Sequence, residues 1–136
     1  MNSKVVLKDG MHFIGSLDGF DINLDADEQF GGKNKGSKPK GLVLTALAGC
    51  TAMDVISILH KMKVQVDSFS VEVDAGLTDG HPSIFKEFLV KYYFKGKGIT
   101  QENTKRAIEL SLDNYCGVAA MLKKVGPVKY EIIIEE

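Results

Sequence analysis

The 136-residue sequence has no tryptophan, one arginine (Arg106), three histidines, three prolines and two cysteines. Two cysteines, Cys50 and Cys116, are too few for a disulfide framework or a zinc site. The start, Met1-Asn-Ser-Lys, has no apolar export segment, so the thiols read as reduced and the chain as cytoplasmic. His12, His60 and His81 have no metal-ligand spacing with one another or with a cysteine or acid, so neither a metal nor a cofactor is expected. His60 reads as solvent-facing near a helix end, and His81 as part of a turn. There is no Gly-x-Ser-x-Gly elbow, no dinucleotide fingerprint and no Gly-Lys-Ser/Thr phosphate loop. Basic excess is missing too: 17 Lys+Arg face 18 Asp+Glu, a net charge of −1, which argues against a nucleic-acid partner. The longest uncharged run, Gly41 to Met53, is short for a membrane span, so no membrane association is expected.

Apolar residues make up 44% of the chain, enough for one domain, 1–136, with its own core. Lys4 to Lys8, Met11 to Leu17 and Phe20 to Asp25 read as three short strands. Asp9-Gly10 and Asp18-Gly19 between them are hairpin turns, because glycine accepts the positive φ of a tight turn. In the third strand Phe20, Ile22 and Leu24 share one face, and Asp21, Asn23 and Asp25 the other. The polar stretch from Ala26 to Lys38 is predicted to be a mobile surface loop. Pro39 opens a helix running to Met62, and this helix is apolar nearly all round. A 136-residue chain has little else to cover it, which implies a second subunit.

Two long strands follow, Asp67 to Leu77 and Ser83 to Lys95, joined by the turn Thr78-Asp-Gly-His-Pro82. A second helix begins at Thr100, with Glu102 or Asn103 placed to support its cap, and runs to Tyr115. Cys116 to Lys124 forms a short helical piece, Gly126-Pro127 ends it, and Val128 to Glu136 is a last strand. The order β-β-β-α-β-β-α-α-β gives an α+β class with an antiparallel or mixed sheet.

The two thiols are the only chemistry-bearing groups that stand out. Cys50 sits mid-helix in Leu47-Ala-Gly-Cys-Thr-Ala-Met-Asp54, where a cysteine is a small buried hydrophobe or a reactive group. Gly49, costly inside a helix, suggests that something approaches the backbone there. Cys116 lies at a helix junction, where unpaired N–H groups favour a thiolate; the alternative is a packing residue. Asp54 shares a helix face with Cys50, and a bare carboxylate beside a thiolate disfavours it. Asp54 is therefore expected either to pair with a cation or to cap another element.

Together, Lys38-Pro-Lys-Gly-Leu-Val-Leu-Thr-Ala-Leu-Ala-Gly-Cys-Thr-Ala-Met-Asp-Val55 and Leu110-Ser-Leu-Asp-Asn-Tyr-Cys-Gly-Val-Ala-Ala-Met-Leu122 resemble the two cysteine motifs of the OsmC/Ohr family, the osmotically inducible and organic-hydroperoxide-resistance proteins. The proline eleven residues before the first cysteine, Pro39 here, is part of the likeness, and Gly-Cys-Thr-Ala-Met-Asp-Val is similar to the OsmC-like branch. The resemblance implies an intertwined homodimer with an OsmC-like fold, sheets wrapped around long central helices. It also implies a thiol peroxidase: Cys50 would attack an organic hydroperoxide, Cys116 would resolve the sulfenic acid as a disulfide, and a dithiol reductant would reopen it. The family's peroxidases also carry an arginine in the N-terminal strands and a glutamate one residue after the motif proline. Here Lys40 takes the glutamate's place and no N-terminal arginine exists, so Lys40 and His12 are the cationic candidates, and weak thiol activation is expected. The alternative is a non-catalytic or purely structural dimer, the former binding a small ligand in its interface.

Overall fold

The computed structural model describes all residues, 1–136, and divides into two compact units, Met1–Val43 and Leu44–Glu136. The first unit is a three-stranded antiparallel meander of β1 (Ser3–Asp9), β2 (His12–Leu17) and β3 (Phe20–Leu24). Its turns use the expected residues. Gly10, Asp18 and Gly19 all have positive φ, and at Asp18 a short polar side chain tolerates it.

The loop after β3 is tied down rather than mobile. Asp25, assigned by alternation to the polar face, is buried. Its carboxylate accepts hydrogen bonds from the backbone N–H groups of Ala26, Lys33 and Lys35 at 2.8, 3.1 and 3.0 Å. One side chain thus closes the whole turn of backbone that composition marks as flexible, including a short 3-10 turn at Glu28–Phe30. Gly32 and Gly36 are required there, because a Cβ at either would fall within 2.4 Å of backbone atoms of Ala26 or Asn23.

The second unit holds α1 (Gly41–Lys61) from Leu44 onward, with a mixed sheet of β4 (Ser68–Leu77), β5 (Phe85–Lys95) and β6 (Val128–Glu135). Pro39 and Lys40 stand just before the helix, in the turn that leads into it. β4 and β5 form an antiparallel pair, and β6 runs parallel to β5. The parallel pairing needs a crossover, supplied by α2 (Gln101–Leu110), a π-helical turn at Ser111–Tyr115 and α3 (Gly117–Leu122). Strict alternation on β5 sends Phe88, Val90, Tyr92 and Phe94 to the buried face. Leu47, Thr51, Val55 and Leu59, four residues apart along α1, are buried with them. Burying side chains of this size contributes about 1.5–3 kcal/mol each.

Thr100 caps α2 reciprocally with Asn103, each side chain bonding the other's backbone N–H. His60 is exposed near the end of α1, and His81 lies in the β4–β5 turn, as expected. The count of uncharged residues understates α1. It is 21 residues long with a mean hydropathy of 2.0 over its most apolar stretch, so length and composition alone would allow it to cross a membrane. Leu47, Thr51, Val55 and Leu59 form its one buried face, and only 22% of the apolar stretch is buried within the chain.

Asp25 makes the loop acid-sensitive. Its three N–H donors favour the charged carboxylate and hold its pKa below the ordinary value. The folded chain therefore binds that proton less tightly than the unfolded chain. The stabilisation is complete above the unfolded pKa, about 3.9, and is lost as pH falls through the lower folded value. Urea midpoints measured at pH 7 and pH 3 should show a smaller acid loss in Asp25→Asn than in the unsubstituted chain.

Candidate functional site

Three of the five residues singled out in the sequence converge in the second unit. The sulfurs of Cys50 and Cys116 and a carboxylate oxygen of Asp54 lie within 4.8 Å of one another. Cys50 and Asp54 are one turn apart on α1. Cys116 arrives from the far side, where the π-helical turn gives way to α3. The turn's wide hydrogen bond, from the Cys116 N–H to the Ser111 carbonyl at 2.7 Å, is the i→i−5 closure that defines it. Both cysteines are unbridged thiols; Cys50 is half-buried and Cys116 buried.

The helix junction does not make Cys116 a thiolate. Its Sγ does accept the Ala119 N–H at 3.3 Å, the contact expected at a helix start. Burial outweighs that contact, and with the neighbouring Cys50 also raising it, the Cys116 thiol is pushed up to about 11.

Asp54 neither pairs with a cation nor caps a helix. The chain's ion pairs are Lys38–Asp27, Lys91–Asp74, Lys105–Glu109 and Lys123–Asp113. Asp54 instead accepts the Ser111 hydroxyl at 2.9 Å through Oδ2. Ser111 in turn lies 2.8 Å from the Thr51 hydroxyl, and Thr51 lies 2.7 Å from the Tyr92 hydroxyl. Since a carboxylate only accepts, one hydrogen order satisfies the line: Tyr92 donates to Thr51, Thr51 to Ser111, and Ser111 to Asp54. Tyr92, Thr51 and Ser111 are all fully buried. Burial pushes the Tyr92 hydroxyl well above its ordinary pKa, against the Thr51 hydrogen bond and with the help of the Cys116 and Asp54 charges. It thus stays a donor.

Thr51, Tyr92 and Ser111 escaped the sequence reading. Their signal was present: Ser111 continues the buried stripe Thr104, Ala107 and Ile108, and Thr51 interrupts an apolar one. A hydroxyl on a buried stripe needs a partner, so two such positions on different helices point to each other.

His12 and Lys40 belong to the first unit. His12 is buried on β2, and its Nε2 is 2.9 Å from Asn23 Oδ1. Lys40 is exposed in the turn before α1. No atom of this chain lies near the Cβ position of Gly49, so the approach expected there is not made by the chain itself.

The family model for OsmC-like proteins matches residues 32–131, which contain both cysteine segments and the elements that join them. The chain belongs to the OsmC-like family. Protein YhfA of Escherichia coli (strain K12) is 30% identical, over 98% of each chain. An OsmC-like protein from Mycoplasma pneumoniae shares the fold at a TM-score of 0.83 and 14% identity, covering 99% of this chain and 96% of its own. An organic hydroperoxide resistance protein OsmC from Legionella pneumophila superposes at a TM-score of 0.69 and 16% identity, covering 97% and 95%. The α+β architecture read from the element order is thus that of OsmC-like structures.

The hydroxyl line should carry stability as well as geometry. Thr51→Val keeps the shape but leaves Tyr92 without its acceptor and removes one of Ser111's donors. Urea unfolding should register a loss of about 1–3 kcal/mol, the cost of an unsatisfied buried polar group.

Proposed function

We propose that this OsmC-like protein reduces organic hydroperoxides through Cys50, with Cys116 as the resolving thiol. The observation that carries the reading is the convergence of the two sulfurs and Asp54 within 4.8 Å. In the first step the Cys50 thiolate attacks the peroxide and the O–O bond breaks, giving an alcohol and a Cys50 sulfenate, which takes a proton from solvent to become the sulfenic acid. In the second, the Cys116 sulfur attacks the Cys50 sulfur and hydroxide leaves as water, giving a disulfide. Cys116, with its thiol pushed up to about 11, enters this step protonated and needs a base. Asp54 takes that role. Ser111 holds its Oδ2, and the carboxylate passes the thiol proton to the departing hydroxide. An external dithiol then restores both thiols by exchange.

The functional unit is a homodimer. Only 22% of the apolar stretch of α1 is buried within the chain, and Met53 on it is 73% exposed. Val5, Val6 and Leu7 of β1 and Phe20 of β3 are also exposed. An obligate partner interface of more than roughly 2,000 Å² would cover such surface. The family's N-terminal arginine has no counterpart in this chain, whose one arginine is Arg106, so the reacting thiol is weakly activated. Turnover is therefore slow.

Peroxide consumption with a dithiol reductant should be measurable in the unsubstituted chain and absent in Cys50→Ser. Asp54→Asn should slow disulfide formation about 100-fold or more, the low end of general-base effects. Activity undiminished in Cys50→Ser would leave a ligand-binding dimer as the better description. Sedimentation at low micromolar concentration should give about twice the 14.9 kDa chain mass; a stable folded monomer would contradict the dimer.

A further inference from the structure

The Cys50–Asp54–Cys116 cluster is more than a thiol pair. Two sulfurs and a carboxylate oxygen meet without an ion pair to any of them. Cys50 and Asp54 are four residues apart on a helix inside the packed unit, a spacing that aims two ligands at one point. Cys116 contributes the third from a separate element.

The separations suit a small tetrahedral ion. Metal–sulfur bonds of about 2.3 Å and metal–oxygen bonds of about 2.0–2.2 Å set ligand atoms about 3.5–3.8 Å apart. Atoms already within 4.8 Å of one another need close by only about 1 Å, within reach of small side-chain rotations. The outer groups also fit. Ser111 donates to Asp54 Oδ2 and turns the carboxylate, leaving Oδ1 to coordinate. The Ala119 N–H directed at Cys116 Sγ would hydrogen-bond that sulfur as an outer partner once it is metal-bound. Thiolate ligands select a thiophilic cation over magnesium or calcium. Asp54 also lines an open cleft of about 480 Å³ with Ser57, Ile58 and Tyr115, through which an ion and water can reach it. Lys61 and Arg106 line the same cleft, and neither forms an ion pair with the cluster.

We propose that the reduced protein binds one divalent cation of the zinc type through Cys50, Asp54 and Cys116, with a fourth coordination position open to water. The proposal departs from the expectation, drawn from residue spacing in the sequence, of no metal site. It goes beyond the peroxidase reading and needs no oxidation chemistry. The loaded form holds both sulfurs as bound thiolates, so it cannot form the Cys50–Cys116 disulfide until the metal leaves. Metal and hydroperoxide therefore compete for the same two sulfurs.

The test uses the full chain, reduced with a phosphine and freed of metal. Zn²⁺ alone is titrated in competition with a chromophoric chelator, and Co²⁺ alone is followed by absorption. The expected result is one ion per chain and a thiolate-to-cobalt charge-transfer band. Ser111→Ala and Asp54→Asn should each weaken binding by about 10–100-fold, and Cys50→Ser and Cys116→Ser by more than that. Converting the two thiols to a disulfide with a thiol oxidant should abolish binding. No binding at micromolar Zn²⁺, a Co²⁺ spectrum without the thiolate band, or affinity undiminished in any one of the Cys50→Ser, Cys116→Ser and Asp54→Asn variants would overturn the site. Failure of peroxide turnover alone would leave the metal result standing, so the two proposals fall separately.

Discussion

Asp54 is half-buried beside an open cleft, and the site depends on what its carboxylate pairs with. It is satisfied by a hydroxyl rather than by a cation, and that hydroxyl is the end of a buried line through Ser111, Thr51 and Tyr92. The line ties three elements together: the middle of α1, the centre of β5 and the π-helical turn. Each hydroxyl has a definite donor and acceptor role because the chain of bonds ends on an acceptor-only group. Had a lysine or arginine paired with Asp54, the carboxylate would be neutralised and the neighbouring sulfurs would face a different charge.

The π-helical turn is the second constraint. Ser111 and Leu112 continue the buried face of α2, and the wide closure from Cys116 to Ser111 then brings the sulfur to the start of α3. Ser111 thus serves both sides of the site, through its carbonyl for Cys116 and its hydroxyl for Asp54. The electrostatic result is an electron-rich cluster in a largely apolar setting, with one thiol strongly protonated. The two proposals draw on this one cluster: oxidation to a disulfide and binding of a cation would each use both sulfurs, so they would exclude each other.

Much of the fold was legible in the sequence. Asp9-Gly10 and Asp18-Gly19 marked the hairpins, alternation at Phe88, Val90, Tyr92 and Phe94 marked the central strand, and the cysteine segments pointed to the OsmC-like family. What could not be read was set by tertiary packing. The loop from Ala26 to Lys38 looks flexible by composition, yet one buried carboxylate, Asp25, holds it. The end of the second helix looks regular through Tyr115, yet its last turn widens where Ser111 must meet Thr51. Helix-junction reasoning at Cys116 gave the wrong sign because local N–H donors are visible in sequence and burial is not.

The account stands on Cys50 and Cys116 being partners within one chain. One equivalent of an organic hydroperoxide added to the reduced protein, followed by proteolysis and mass mapping without reductant, tests this most directly. The expected product is a single cross-linked peptide pair joining Cys50 and Cys116 of the same chain, with two thiols lost per chain. A persistent sulfenic acid at Cys50 beside an unmodified Cys116, or links formed only between chains, would contradict it.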